Sequence, residues 1–241
     1  MDSKTMRLAR DDIERTCKEA EILDELLALD DRRILELGCG KAEITRLLAE
    51  GGRGRHITAM EVDEEQHSRN LLITDLPNVT FLFGGAEAIP ADDENYDVVL
   101  MFKSLHHVPV DKLDKAMQEI HRVLVPGGVA YISEPLYAGD FNDIMRQFHD
   151  EQIVREAAFH SLQRAVDEGL FELIDEIFFN TSRHFKDFEE FEGSVLNVTH
   201  TKHELDEDTY NTVQKMFNSH MTQHGADFVM PIRVDMLQKP E

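Results

Sequence analysis

R-R-I-L-E-L-G-C-G-K-A-E-I-T-R-L-L-A-E, Arg32 to Glu50, is the stretch on which the fold turns. Arg33–Leu37 is a short apolar run that reads as a buried strand, and it breaks at Gly38 and Gly40. Apolar residues return at helical spacing over Glu43–Glu50, and Gly51-Gly52 closes that segment. A strand feeding a Gly-x-Gly turn and then a helix brings backbone N–H groups close to a ligand, at the positive end of the helix dipole. Taken alone, such a turn serves a nucleoside site or a purely structural bend equally well.

Working outward, the same alternation continues. His56–Val62 reads as a strand, Glu64–Leu72 as a helix, Asn78–Phe83 as a strand and Tyr96–Phe102 as a continuous apolar strand buried on both faces. Lys112–Leu124 follows as a helix, and Val129–Glu134, after Pro126-Gly127-Gly128, as another strand. Trading strand for helix in this way predicts a mostly parallel sheet wrapped by helices. Upstream, Ile13, Cys17, Ala20, Leu23, Leu26 and Leu27 fall at steps of three and four, which predicts one amphipathic helix from about Met6 to Leu29. Downstream, Phe141–Gly169 reads as helix, Glu172–Phe185 and Phe228–Leu237 as strands, and the acidic segment from Thr199 to His224 as partly helical from about Asp206. No internal repeat, low-complexity tract or linker divides the 241 residues, so a single domain is expected.

Composition narrows the function. Lys and Arg total 25 against 48 Asp and Glu, a net charge of −23, and acids exceed bases on both sides of Asp140. Nucleic acid is disfavoured as a partner, because that binding draws on Lys and Arg neutralising phosphates. The two cysteines, Cys17 and Cys39, the opening M-D-S-K-T-M-R and the lack of a long apolar run predict a cytoplasmic chain with no disulfide framework and no membrane span.

Two acids sharpen the glycine turn. Glu36 stands two positions before Gly38, at the end of a buried strand, where a carboxylate needs a cationic or N–H partner. Glu61 ends the apolar strand His56–Met60, 23 positions past Gly38 and near the roughly 20-residue offset at which an acid takes ribose hydroxyls. Together they describe a nucleoside site with a carboxylate near a positive charge.

Five ordered segments carry a resemblance: E-L-G-C-G at Glu36–Gly40, A-M-E-V-D at Ala59–Asp63, F-G-G-A-E-A-I-P at Phe83–Pro90, Y-D-V-V-L-M-F-K-S-L-H-H-V at Tyr96–Val108 and V-L-V-P-G-G at Val123–Gly128. Over about Arg32 to Glu134 the chain resembles the class I S-adenosylmethionine-dependent methyltransferases, in particular the small-molecule (type 11-like) group whose fourth strand ends in a Leu-His-His loop. The resemblance implies an α/β, Rossmann-like, doubly wound fold: a mostly parallel seven-stranded sheet with helices on both faces and an antiparallel last strand. It also implies one methyltransferase domain over residues 1–241. Residues 1–31 would be a helical cap, 32–135 the cofactor core, and 136–170 and 186–226 helical insertions over the substrate side.

By that resemblance Glu36 and the turn Gly38, Cys39 and Gly40 face the amino acid end of S-adenosylmethionine. Glu61, with Val62 after it, holds the ribose; Gly85, Ala86 and Glu87 lie beside adenine; Lys103 and Ser104 line the floor under the sulfonium. A cofactor without pyrophosphate accounts for Ala42 at the place of a third glycine. One departure stands out: the family's usual acid at the position of Gly85 is missing, and Glu87, a backbone carbonyl or water is expected to take the adenine amino group.

A methyl on a sulfonium is already activated, so positioning and water exclusion do most of the chemistry. His106 and His107 are the candidate general bases, as neutral imidazoles at the mouth of a buried strand, with packing and backbone hydrogen bonding as their alternative role. Tyr137, His149 and Arg155 are candidate substrate contacts, together with Phe141 and His160; Phe141, Ile144, Met145 and Phe148 fit core packing equally. His200-Thr-Lys-His203-Glu204 and His220-x-x-x-His224 have the spacing of metal ligands but match no zinc protease order and lack a cysteine cluster, so no metal is expected. The expected activity is methyl transfer from S-adenosylmethionine to an O, N or S atom of a small molecule. Its rivals are a cofactor-binding protein without transfer and, more distantly, a nicotinamide-dependent oxidoreductase, for which G-C-G-K-A lacks the G-x-G-x-x-G spacing.

Overall fold

In the computed structural model, which describes residues 5–197 and 205–241, a single sheet sets the positions of everything else. Its strands are β1 (Arg33–Leu37), β2 (His56–Glu61), β3 (Val79–Phe83), β4 (Tyr96–Phe102), β5 (Leu124–Pro135), β6 (Glu172–Phe185), β7 (Met221–Thr222) and β8 (Gly225–Gln238). They lie in the order β3-β2-β1-β4-β5-β8-β6, with β7 paired only to β8. The first five strands are parallel, whereas β8 runs antiparallel to both β5 and β6. This is the expected doubly wound α/β fold with an antiparallel last strand. The eighth strand comes from the short hairpin that folds β7 back onto β8.

The helices are α1 (Glu19–Leu26), α2 (Glu43–Glu50), α3 (Glu64–Asn70), α4 (Leu113–Val123), α5 (Asp140–Met145), α6 (Gln152–Asp167), α7 (Phe188–Phe191) and α8 (Glu207–Ser219). The continuous apolar strands fill both faces of the sheet because successive side chains alternate. Leu35, Leu37, Val99, Met101, Ala130 and Ile132 pack on one side with Met117 and Ile120 of α4 and Phe159 and Leu162 of α6. Ile34, Val98, Leu100 and Tyr131 pack on the other with Ile22 and Leu23 of α1 and Leu48 of α2. A third cluster, Phe141, Phe185, Phe191, Phe217 and Phe228, joins α5, α7 and α8 to the adjoining ends of β6 and β8.

The structure corrects several sequence readings. The predicted helix over Met6–Leu29 is helical only at Glu19–Leu26. Before it the chain is extended along β6: Cys17 N–H donates to Asn180 O at 2.9 Å and Asn180 N–H donates to Arg15 O at 2.7 Å. The free edge of β6 offers those backbone partners, and taking them outweighs local helical periodicity. The predicted helix over Phe141–Gly169 is two helices, Asp140–Met145 and Gln152–Asp167, with Asp150 in the break accepting from Gln152 N–H at 3.0 Å just before the N-cap Glu151. Strands β5 and β8 are longer than predicted: β5 begins at Leu124, opposite Tyr96 of β4, and β8 begins at Gly225, with Ala226 and Asp227 opposite Phe185 and His184 of β6. His200, His203 and Glu204 lie outside the described residues.

The tip of β1 shows why glycine is needed there. Gly38 has φ of +73°, and a Cβ on it would lie 2.6 Å from Ser104 Cβ at the end of β4. Ala42, the residue before α2, sits in the left-handed region at φ 60° with its methyl buried. The backbone demand for a third glycine is therefore present, and alanine carries it at a cost of about 1–2 kcal/mol that burial of the methyl partly offsets. Replacement Gly38→Ala should destabilise the protein by at least about 2 kcal/mol in urea unfolding. Adding Ser104→Gly should return part of that loss; strict additivity of the two changes would show that the tips of β1 and β4 are not in steric contact.

Candidate functional site

The carboxyl ends of β1, β2 and β4 converge on the glycine turn, and its backbone donors are already engaged. Gly38 and Cys39 N–H both donate to Met60 O at 2.9 Å, and Gly40 N–H donates to Glu61 Oε2 at 2.7 Å. Asn70 of α3, a residue that no motif points to, pins the turn from outside by donating to Gly40 O at 2.8 Å. The N–H groups of Gly38, Cys39 and Gly40, which sequence offers as a cradle, are therefore taken up inside the turn. Cys39 is buried, and burial raises its thiol pKa, which leaves it an inert part of the turn.

Two carboxyl groups flank this turn. Glu36, 2% exposed, accepts from Thr45 Oγ1 at 2.6 Å and has no Lys or Arg partner among the described residues. Burial pushes its pKa up to about 7, with Thr45 opposing and the Glu61 charge adding to the rise. Glu61 accepts from Val62 N–H at 2.8 Å and Asp63 N–H at 2.9 Å on Oε1, besides Gly40 on Oε2. A carboxylate has about four acceptor positions, so one remains on Oε2. A pair of acids beside a turn whose glycine N–H groups are already bonded repels a pyrophosphate and suits a ligand bearing an ammonium group and a diol.

Val62 is exposed beside this acid and Ala86 is buried behind it. A Cβ on Gly85 would lie 2.2 Å from Glu87 Oε2, so the Glu87 carboxylate occupies the space an acid at Gly85 would take. Its own loop backbone, with Lys112 at 3.0 Å, keeps Glu87 ionised by lowering its pKa. Lys103 lines the adjoining cavity, and its ammonium pairs with the buried Glu19 at 2.6 Å, which ties the start of α1 to the end of β4. Ser104 Oγ donates to Leu37 O at 3.0 Å and braces β1 against β4.

Past β4 the Leu105–His107 turn opens on a cavity of about 360 Å³ lined by both histidines, Phe141, His149, Glu151, Arg155 and Arg183 among others. Buried His106 faces Glu134 through Nδ1 at 2.5 Å and Glu151 through Nε2 at 3.7 Å. Burial alone would lower its pKa, but the two carboxylates outweigh that and push it up to about 9. His106 is thus an imidazolium at neutral pH, not the neutral base expected. Its charge, with Leu105 N–H, holds buried Glu134 below the usual carboxylate range against desolvation, and His106 and Arg155 do the same for Glu151. The exposed His107 packs against it, with ring centroids 4.1 Å apart and the rings tilted by 43°.

Arg155 donates to Leu136 O at 3.0 Å, to Asn142 Oδ1 at 2.9 Å and to Glu151 Oε2 at 2.6 Å, so it builds the cavity wall. His149 lies 3.1 Å from Glu151 in the same wall. Tyr137, at a bend after β5, is not among the lining residues, although Leu136 and Ala138 on either side of it are. Phe141 and Met145 serve both cavity and core, whereas Ile144 is fully buried core. Ligand atoms of His106, His107 and Glu151 lie within 4.8 Å of one another, a grouping that sequence did not show. A cation there would face the His106 imidazolium and Arg155, so the arrangement favours hydrogen bonding over metal. Glu134, Glu151 and Arg183 were missed because an isolated charged residue in sequence carries no sign of which cavity it enters.

Residues 34–128 match the family model described as a methyltransferase domain. An uncharacterized methyltransferase of Mycobacterium bovis is 37% identical over 108 residues, 45% of this chain and 42% of that protein. A mitochondrial arginine-hydroxylase of Mus musculus is 34% identical over 104 residues, 43% of this chain and 29% of that protein. The chain thus spans less than half the length of these relatives. Among solved structures, the YcgJ protein of Bacillus subtilis superposes with a TM-score of 0.63 at 16% identity, covering 92% of this chain and 97% of that one. No described helix is long and apolar enough to cross a membrane.

The His106 charge has a readable pH signature. An unfolded imidazole titrates near 6.5, and this one near 9, so its contribution to stability is complete below about pH 6.5 and disappears as pH rises through about 9. By NMR titration, Glu134→Gln should lower the His106 midpoint by more than about one unit. An unmoved midpoint would show that another group holds the proton.

Proposed function

We propose, from the premise that residues 34–128 belong to the methyltransferase domain family, that this chain binds S-adenosylmethionine at the tips of β1, β2 and β4. It would then transfer the methyl group to an O, N or S atom of a small molecule held in the adjoining cavity. The observation that carries the reading is the pair of buried carboxyl groups, Glu36 and Glu61, flanking a glycine turn whose N–H groups are taken up internally. That arrangement supports an ammonium-bearing nucleoside over a nicotinamide dinucleotide, whose pyrophosphate needs the N–H groups.

Glu36 would receive the ammonium, Glu61 a ribose hydroxyl on its remaining acceptor position, and Glu87 the adenine amino group in place of the family's acid at Gly85. When bound, the cofactor supplies a methyl already activated by a sulfonium. The protein's own part is to position and to exclude water: α1 is fastened to the end of β4 by the Glu19–Lys103 pair, and the Leu105–His107 turn separates the glycine turn from the cavity. His107 is the group placed to take a proton from an acceptor, with His106 held charged beneath it. Binding without transfer is the second reading; it draws on the charged His106 and on a relative whose name is a hydroxylase.

Calorimetry with S-adenosylhomocysteine tests the site. Wild type should bind saturably, and Glu61→Ala and Glu87→Ala should each weaken binding about tenfold, roughly 1.4 kcal/mol. Gly85→Asp should not improve it, because the added carboxylate displaces the Glu87 carboxylate from the place beside adenine and replaces one acceptor with another. Because Glu36 titrates near 7, affinity should rise from pH 6 to pH 8 with net proton release at pH 7, seen as a dependence of the heat on the ionisation enthalpy of the buffer. No uptake of the nucleoside ends the proposal; uptake without S-adenosylhomocysteine formation across a broad metabolite panel favours binding alone.

A further inference from the structure

The cavity beside the histidines has a charge opposite to that of the molecule around it. On a chain of net charge −23 its wall carries Lys103, Arg155, Arg183 and the His106 imidazolium against one acid, Glu151. Three of these cations are engaged: Lys103 with Glu19, Arg155 with Glu151, and His106 with Glu134 and Glu151. Arg183, near the end of β6, has no side-chain hydrogen bond or ion pair among the described residues. Its guanidinium lies instead 5.1 Å from the centroid of the Phe141 ring and 5.0 Å from that of Phe185.

A half-buried guanidinium on an apolar wall has lost hydration that two ring faces restore only in part. Burial lowers its pKa, with Glu43 and Glu190 as the carboxylates that counter the shift. The group remains charged, since arginine does not deprotonate in proteins. Its planar fork presents two parallel N–H donors, the geometry that carboxylates complete. The same wall includes Met145, Val195 and Met230, so the cavity couples a cationic end to an apolar body.

Building on the acceptor cavity of the reading above, we propose that Arg183 anchors a carboxylate, or an oxyanion of similar size, on an acceptor whose apolar part lies against Phe141, Met145, Val195 and Met230. The cofactor's own carboxylate is the other source of this chemistry. The cavity lining argues for the acceptor: Arg183 shares its wall with Met145, Val195 and Met230, and no residue of the glycine turn lines it, although the Arg183 charge is felt by Glu43 at the start of α2. The proposal adds to the reaction a specificity for anionic acceptors on a strongly acidic protein, with local field prevailing over net charge.

The test uses the full chain with octanoate, octanol and octylamine as probes, by calorimetry, with and without saturating S-adenosylhomocysteine. Wild type should bind octanoate at least tenfold more tightly than octanol or octylamine. Arg183→Met should remove that tenfold preference while leaving octanol and S-adenosylhomocysteine affinities unchanged, and Arg183→Lys, which keeps the charge without the fork, should fall between. Octanoate that binds no better than octanol, or a preference that survives Arg183→Met, overturns the proposal. So does an Arg183→Met variant with weakened S-adenosylhomocysteine binding and unaltered 5′-methylthioadenosine binding, since the arginine then serves the cofactor's carboxylate. Failure of wild type to take up S-adenosylhomocysteine defeats the proposed function instead, and the octanoate comparison without it still decides Arg183.

Discussion

The structure depends on a constraint at one corner of the sheet, where the tips of β1, β2 and β4 meet. Gly38 allows β4 to close on β1, and Met60 and Glu61 at the end of β2 take the hydrogen bonds of the turn. The result is a rigid bend with its donors turned inward and two acids held beside it. Desolvation makes Glu36 a carboxyl whose charge is only half favoured at neutral pH. A cationic partner would restore that charge, and on the proposed reading this links the stability of the bend to the ammonium of its ligand.

The second half of the site rests on a different electrostatic device. Glu134 at the end of β5, His106 on the turn after β4 and Glu151 just ahead of α6 come from three separate segments and meet in one buried row. A charge buried this deeply survives only with partners on both sides, and here each carboxylate depends on the imidazolium as it depends on them. The row fixes the floor of the cavity while leaving His107 at its surface. The insertions after β5 and β6 then close the far wall through a cluster of phenylalanines.

How much of this was legible before folding differs between segments for identifiable reasons. The strands β1 to β4 and helices α2 and α4 were readable because each buries an uninterrupted apolar run or stripe, and the glycines and prolines between them act locally. The N-terminal segment misled because its apolar spacing is helical while the exposed edge of β6, some 160 residues away in sequence, supplies an extended partner. The break between α5 and α6 was hidden because residues 146–151 contain no glycine or proline to mark it in an otherwise helical pattern.

The site divides along the same line. Sequence alone determined the order of strand and helix, the place of the glycine turn, and the presence of Glu36 and Glu61 at strand ends, because these follow from patterns within a few residues of one another. Tertiary structure decided that the turn's N–H groups are consumed, that Glu87 fills the space beside Gly85, that His106 is charged and that Arg183 enters the cavity on an aromatic wall. Hydrogen-bond partners, desolvation and charge pairing are properties of neighbours in space, and neighbours brought from distant strands leave no periodic trace in the chain.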